Sequence, residues 1–286
     1  MRKFTISIAD IGISFLFDKD ISKSRFDDFK NDFIKDARTD ITLRVSHDGF
    51  PEKKRRRKIF DSASTWSLFT SQGKYVFQDC SFKSGSPPDK LVVLESNFQS
   101  GKIYMKDNEP YQDLFPDPLG YPLNQALMTT LLPRYGGMMF HACGIDDSGY
   151  GYLFLGNSTD GKSTIARLWF ENKVPVLNDD RIIVREKDGE LWMYGTPWHG
   201  DFKEFSSKGL LIRKLFFLRH GKRNSVASKE GREAVSMLLT RCFPPFWDKD
   251  GMANTIELCQ LISERIPCYE LNFVPNRKII PLVRDI

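Results

Sequence analysis

The chain has 286 residues, 41% of them hydrophobic, enough for one large domain or two modest ones. No apolar run approaches the roughly 20 residues that a membrane-spanning helix needs. The first ten residues alternate like a strand and lack the continuous apolar core of a signal peptide. The expected location is therefore the cytoplasm, with no membrane partner. The formal net charge is +5, and one run of six basic residues, Lys53 to Lys58, accounts for it. Taking those six charges from the +5 leaves −1, so the rest of the chain is near neutral. Such a run suits nucleic acid, an anionic membrane or an acidic peptide. No aromatic is interleaved and no nucleic-acid module is recognisable beyond it. Its plain reading is a solvated loop between strands. Its sharper reading is a docking site for an acidic polypeptide.

Residues 1–106 read as a mostly β accessory or substrate-recognition domain. Phe4, Ile6 and Ile8 alternate, then Ile11, Ile13, Phe15 and Phe17 alternate in the opposite phase. A bulge or bend near Asp10 would account for the shift. Phe26, Phe29 and Phe33 fall at helical spacing and predict one short amphipathic helix. Trp66 to Phe69, Gly73 and Tyr75 to Phe77 predict a hairpin. Leu91 to Leu94 and Ile103 to Met105 predict two more strands, with Ser100-Gly101-Lys102 at their turn. The Pro- and acid-rich stretch 107–122 reads as a linker. Residues 123–286 read as a second, α/β domain, opened by a helix from Leu123 to Leu132.

The most informative stretch follows. Tyr152 to Leu155 is an apolar run, Gly156-Asn157-Ser158-Thr159-Asp160-Gly161-Lys162-Ser163 fits G-x-x-x-x-G-K-S, and Thr164 onward reads as a helix. That is the pattern and context of a phosphate-binding P-loop. The two glycines let the backbone turn sharply and approach a phosphate. Backbone N–H groups and the helix N-terminus then form an anion nest. Lys162 supplies a point charge, and Ser163 a hydroxyl for Mg²⁺, with Thr164 beside it. Asp160 sets a carboxylate in the loop. Pointing inward it would repel phosphate, so it is expected to face solvent.

Val174 to Val184 is an apolar run broken by Asp179-Asp180. One acid can hold Mg²⁺ and the other can take a proton from an attacking hydroxyl. Adjacent residues on a strand point to opposite faces, so the two acids are expected to play different parts. The plain alternative is an Asn-Asp-Asp turn. His141 ends an apolar run and reads as either a strand-end residue or a reactive one. His199 lies in Pro197-Trp198-His199-Gly200, which reads as a substrate-contact loop or a turn anchored by a buried Trp198. The five cysteines are scattered, without C-x-x-C, which argues against a disulfide framework or a zinc site.

In order, Met138-Met139-Phe140-His141-Ala142, the P-loop, the Asp179-Asp180 pair, Gly195 to Asp201, Leu215 to Leu218 and the helix-like Glu233 to Leu239 resemble the catalytic domain of HPr kinase/phosphorylase. The resemblance extends to relatives of that family found beside peptide-modification genes, and covers about residues 121–286. It implies a P-loop domain with a mixed sheet and flanking helices, similar in fold to the nucleotide domain of PEP carboxykinase. It implies that Gly156 to Thr164 bind the phosphates of ATP or another nucleotide together with Mg²⁺. One of Asp179 and Asp180 would be the catalytic base and the other would lie near the metal, with His141 close to the reaction centre. The family loop reads G-x-S-G-x-G-K-S, and this chain has Thr159 where the second glycine stands. The later family run ending in Ile-Ile-Asp-Val is not visible, so the phosphocarrier HPr is not a safe substrate. The resemblance leaves a homo-oligomer open.

The function expected from these readings is a Mg²⁺-dependent kinase. It would move a phosphoryl group to a hydroxyl, a serine in a protein or peptide or a small molecule. The alternatives are a nucleotide-binding regulatory protein without catalysis and a nucleic-acid-associated NTPase.

Overall fold

Ile6, Ile8, Ile11 and Ile13 are all buried, and the reversal of phase between them is a turn. Strands β1 (Arg2–Ile8) and β2 (Ile11–Phe17) pair antiparallel, with Ile8 opposite Ile11. Ala9 and Asp10 join them at φ 51° and 59°. Two central residues with positive φ make the turn that matches strand twist. The expected bulge or bend is the turn of a hairpin, and Asp10 sits at its tip. The computed structural model describes residues 2–18, 31–47, 49–51, 55–63, 65–79, 90–105, 118 and 120–286. Two compact units divide it, Met1–Leu131 and Leu132–Ile286.

The first unit is built on one eight-stranded sheet in the order β1-β2-β3-β8-β7-β6-β5-β4. Its further strands are β3 (Ile41–Ser46), β4 (Arg57–Asp61), β5 (Trp66–Ser71), β6 (Lys74–Asp79), β7 (Lys90–Leu94) and β8 (Ser100–Met105). The expected β5–β6 hairpin is present, turning at Gln72-Gly73. Ser100-Gly101-Lys102 is not the β7–β8 turn; it lies within β8, and residues 95–99 make the turn. A Cβ on Gly101 would sit 2.7 Å from the Val93 carbonyl oxygen. That glycine marks close strand approach, not a reversal. Of the basic run, Arg57 and Lys58 open the edge strand β4, so this part is strand and not loop. Residues 53 and 54 lie outside the described residues, as do 26 and 29 of the expected helix. Asn31–Phe33 is a single short 3-10 turn. Most of 107–122 also lies outside the described residues. Helix α1 (Leu123–Leu131) belongs to this unit and lies against β6.

The second unit is a mixed sheet in the order β10-β9-β12-β13-β14-β16-β15, with β10 also pairing β14. Its strands are β9 (Gly137–Asp147), β10 (Tyr150–Leu155), β11 (Val176–Asn178), β12 (Arg181–Lys187), β13 (Glu190–Gly195), β14 (Gly209–His220), β15 (Ser225–Lys229) and β16 (Cys268–Phe273). The β10–β14 and β14–β16 pairs are parallel, and the others are antiparallel. The expectation of a mixed sheet with flanking helices holds at that level. Strands buried on both faces read as unbroken apolar runs, and β10 and β14 show why. Leu153, Leu155, Leu215 and Phe217 enter one core cluster with α3 (Gly231–Leu239) and α4 (Lys249–Arg265). Tyr152, Phe154, Phe216 and Leu218 enter another with α2 (Lys162–Glu171) and α5 (Ile279–Asp285). Phe154 and Phe216 stack at 5.0 Å across the parallel pair. Each such buried ring contributes about 1.5–3 kcal/mol. This three-layer core fixes the ends of β10, β14 and β16, where the candidate site stands. Among the described residues no helix is long and apolar enough to cross a membrane.

Candidate functional site

Strand β10 ends at Leu155, and the Gly156 N–H donates to the His141 carbonyl of β9 at 3.2 Å. The chain then loops through 157–161 and enters α2. Gly161 precedes the helix at φ 96°, and no side chain caps the helix start. The first N–H groups of α2 thus face the loop without a side-chain cap. A Cβ on Gly161 would lie 2.5 Å from the Phe273 ring, so only glycine fits there. Lys162 is 6% exposed, and its Nζ donates to the Asn157 carbonyl at 2.9 Å. Burial lowers its pKa, against the opposing pull of Asp180 and Asp160.

The loop departs from expectation at two residues. Thr159 stands at φ 72°, a left-handed conformation that is costly for a β-branched side chain. It occupies the position where the resemblance calls for glycine. The Asp160 side chain does not face away from the loop. Its Oδ2 accepts the Asn157 N–H at 2.6 Å, and its Cβ lies 2.8 Å from where a Gly156 Cβ would be. The carboxylate satisfies a backbone donor of its own loop. Asn157, Ser158 and Thr159 are exposed, whereas Thr164 is half-buried in the first turn of α2.

Asp179 and Asp180 stand at the corner between β11 and β12, both of which pair with β9. Their side chains diverge as expected, but through a break in the strand and not through its pleat. Asn178 makes the break. Its Oδ1 accepts the N–H groups of Asp180 at 2.7 Å and Arg181 at 2.9 Å. Its Nδ2 donates to the carbonyls of Thr196 at 2.9 Å and Trp198 at 3.0 Å. The Asn-Asp-Asp turn and the paired acids are thus one structure.

Asp179 is 1% exposed. Its Oδ2 accepts from the Ser163 hydroxyl at 2.6 Å and the Phe202 N–H at 3.1 Å. Its Oδ1 accepts from the Gly200 N–H at 2.8 Å. The 195–202 loop therefore reaches the site through its backbone. The His199 ring stacks on Phe205 at 5.8 Å, with Nδ1 2.9 Å from the Gly200 carbonyl. Trp198 is only half-buried.

Asp180 is the more accessible acid. Its Oδ1 lies 2.8 Å from His141 Nε2 and its Oδ2 2.7 Å from Arg181 Nη1. Burial works against its charge. The hydrogen bond from His141 and the charges of Arg181, His141 and Lys162 outweigh it, holding the carboxyl below its usual pKa. Arg181 in turn lies over the Phe243 ring at 4.5 Å. The Phe243 N–H donates to the Met139 carbonyl, which ties that ring to β9. The structure thus brings His141, Lys162, Ser163, Asp179 and Asp180 to one end of the sheet.

Four supporting residues escape a motif search: Asn178, Arg181, His220 and Phe243. Asn178 had a signal, being an Asx residue directly before the acids. His220 had none. It closes β14, and its Nε2 lies 2.8 Å from the Thr159 carbonyl.

Ser163 and Asp179 offer oxygen ligands side by side, which suits Mg²⁺ held by few protein groups plus phosphate and water. Among the described residues no cluster of three or more His, Cys, Asp or Glu forms a metal cage.

No family model matches the chain, and no curated protein matches it. Among solved structures, it is similar to the HPr(Ser) kinase/phosphatase from Coxiella burnetii, at 12% identity and a TM-score of 0.33. That likeness covers 51% of this chain and 94% of the other, and is distant enough to carry no argument about activity.

Proposed function

We propose that the second unit is a Mg²⁺-dependent kinase domain that moves a phosphoryl group from a nucleotide, ATP, to a hydroxyl acceptor. One observation carries this reading: Ser163, next to the buried Lys162, bonds directly to Asp179 at 2.6 Å, while Asp180 turns the other way toward His141. Lys162 and the loop amides would hold the outer phosphates. Ser163 and Asp179 would hold Mg²⁺, which when bound neutralises phosphate charge. The two oxygens of Asp179 are already engaged by three donors, so Asp180 is the better base. The acceptor oxygen would bond to the γ-phosphorus as the bond to the bridging oxygen breaks. The hydroxyl proton would pass to Asp180 and the nucleoside diphosphate would leave. A carboxylate with a lowered pKa is a weak base, but phosphoryl transfer asks mainly for positioning and charge stabilisation. His141 and Arg181 would fix the orientation of Asp180. The acceptor proposed is a serine hydroxyl, with an acidic peptide docking on the basic residues 53–58 as one source.

A second reading is a nucleotide-binding protein without catalysis. The left-handed Thr159 and the Asp160 carboxylate bonded to the Asn157 N–H favour it. The discriminating assay is phosphoryl transfer from labelled Mg-ATP to free serine and to serine-bearing acidic peptides. The kinase reading expects a labelled acceptor with native protein and far less, by about 10²–10⁴-fold, with Asp180→Asn. Nucleotide binding without any labelled acceptor would favour the second reading.

A further inference from the structure

The 156–161 loop holds an anion of its own. The Asn157 N–H, a donor that an entering phosphate would need, is bonded to Asp160 Oδ2 at 2.6 Å. Lys162 Nζ is engaged by the Asn157 carbonyl at 2.9 Å. The Asp160 Cβ lies 2.8 Å from where a Gly156 Cβ would stand. Two ring-bearing residues brace this arrangement from the strand ends. His220 meets the Thr159 carbonyl, and Phe273 fills the space beside Gly161. His220 and Phe273 are register partners on β14 and β16, with their rings 6.1 Å apart.

Resting on the phosphate-site reading above, we infer that Asp160 is a built-in competitor for phosphate that sets the loop's affinity and its preference among phosphate ligands. A phosphate can take the Asn157 N–H only if the Asp160 carboxylate turns out. Two anions cannot share that seat, because like charges at such range repel strongly. A triphosphate brings further charge and can recruit Lys162 away from the Asn157 carbonyl. Inorganic phosphate has one small set of contacts with which to do the same. The loop therefore favours polyphosphates over inorganic phosphate, and Asp160 supplies the margin. His220 is a positioning residue: it holds Thr159 in its left-handed conformation and so keeps Asp160 aimed inward.

The test is calorimetric titration of the full chain with Mg-ATP, pyrophosphate and inorganic phosphate. Native protein, Asp160→Asn, Asp160→Gly, His220→Gln and His220→Ala are compared. Asp160→Asn keeps the shape and removes the charge. It is expected to bind inorganic phosphate about tenfold tighter, the scale of one charge-assisted hydrogen bond. Mg-ATP should gain less, so the preference for the triphosphate narrows. His220→Gln can still donate to Thr159 and should behave as native, whereas His220→Ala should move toward Asp160→Asn. Thermal melting checks that each variant is folded. Should Asp160→Gly fail to fold, Asp160→Asn alone decides. Unchanged or weaker phosphate binding by a folded Asp160→Asn overturns the inference and leaves the phosphate site standing. No binding of any phosphate by native protein or variant overturns both.

Discussion

Asp160 and Asp179 are both carboxylates bonded to backbone N–H groups, yet they are held in opposite ways. Asp179 is buried and takes its donors from two distant segments, Ser163 of α2 and Gly200 and Phe202 of the 195–202 loop. Asp160 is half-exposed and takes its donor from three residues away. The first carboxylate is part of the scaffold, because moving it would strand three donors. The second can leave at the cost of one local bond. On the proposed reading, the fixed acid would stand beside the metal and the yielding one in the phosphate seat.

The contrast sharpens when each acid is changed. The largest effect should come from the third acid, Asp180, whose proposed role is chemical. Asp180→Asn should lower phosphoryl transfer about 10²–10⁴-fold, the usual worth of a positioned acid or base, with nucleotide affinity little altered. Loss of transfer only in proportion to lost nucleotide affinity would contradict that role. Asp180 also makes a pH prediction. Its folded pKa lies below the unfolded value of about 3.9. It therefore contributes stability that is present above that pH and is lost as pH falls through the lower, folded pKa. The Tm of native protein should exceed that of Asp180→Asn at neutral pH and converge with it as pH falls through the lower, folded pKa of Asp180. A gap that persists in acid would place its origin elsewhere.

Asp179→Asn should cost about 1–3 kcal/mol of stability, since its amide turns a donor toward backbone donors. Asp160→Asn should change stability by less than about 0.5 kcal/mol, as surface changes usually do. Equal losses by denaturant melts would erase the distinction between fixed and yielding acids. Thr159→Gly should act in the opposite direction. Relief of the left-handed conformation is expected to add about 1 kcal/mol, partly offset by the entropy of glycine. A destabilised Thr159→Gly would show that the threonine side chain holds the loop in a way its φ does not reveal.

Much of this site was legible in the sequence, because each of its parts is local. Gly156, Gly161, Lys162 and Ser163 sit at a strand–helix junction that the apolar run and the following helix announce. Asp179 and Asp180 stand at the interruption of an apolar run. Strand geometry predicts that their side chains part, although the turn made by Asn178 is what separates them. The inward Asp160 was not legible, because a loop carboxylate bonded three residues back has no pattern of its own. His220 and Phe243 were not legible either. His220 reaches the loop from the end of β14, which pairs with β10, and Phe243 is tied to β9 by its backbone bond to Met139, and both depend on contacts distant in sequence. In the first unit, the alternation from Phe4 to Phe17 marked both strands, but the phase change fits a hairpin as well as a bulge. Only the pairing of Ile8 with Ile11 decides between them. Gly101 shows the reverse error, a glycine that reads as a turn and serves as a close strand contact.

On the proposed reading, the 156–164 segment binds nucleotide phosphates. The most direct test of that reading is calorimetric titration of Mg-ATP into native protein, Lys162→Ala and the double variant Asp179→Asn/Asp180→Asn. The account predicts saturable one-site binding by native protein, loss of at least about tenfold in affinity for Lys162→Ala, and partial retention in the double variant. Absence of binding by native protein, or undiminished binding by Lys162→Ala, would contradict it.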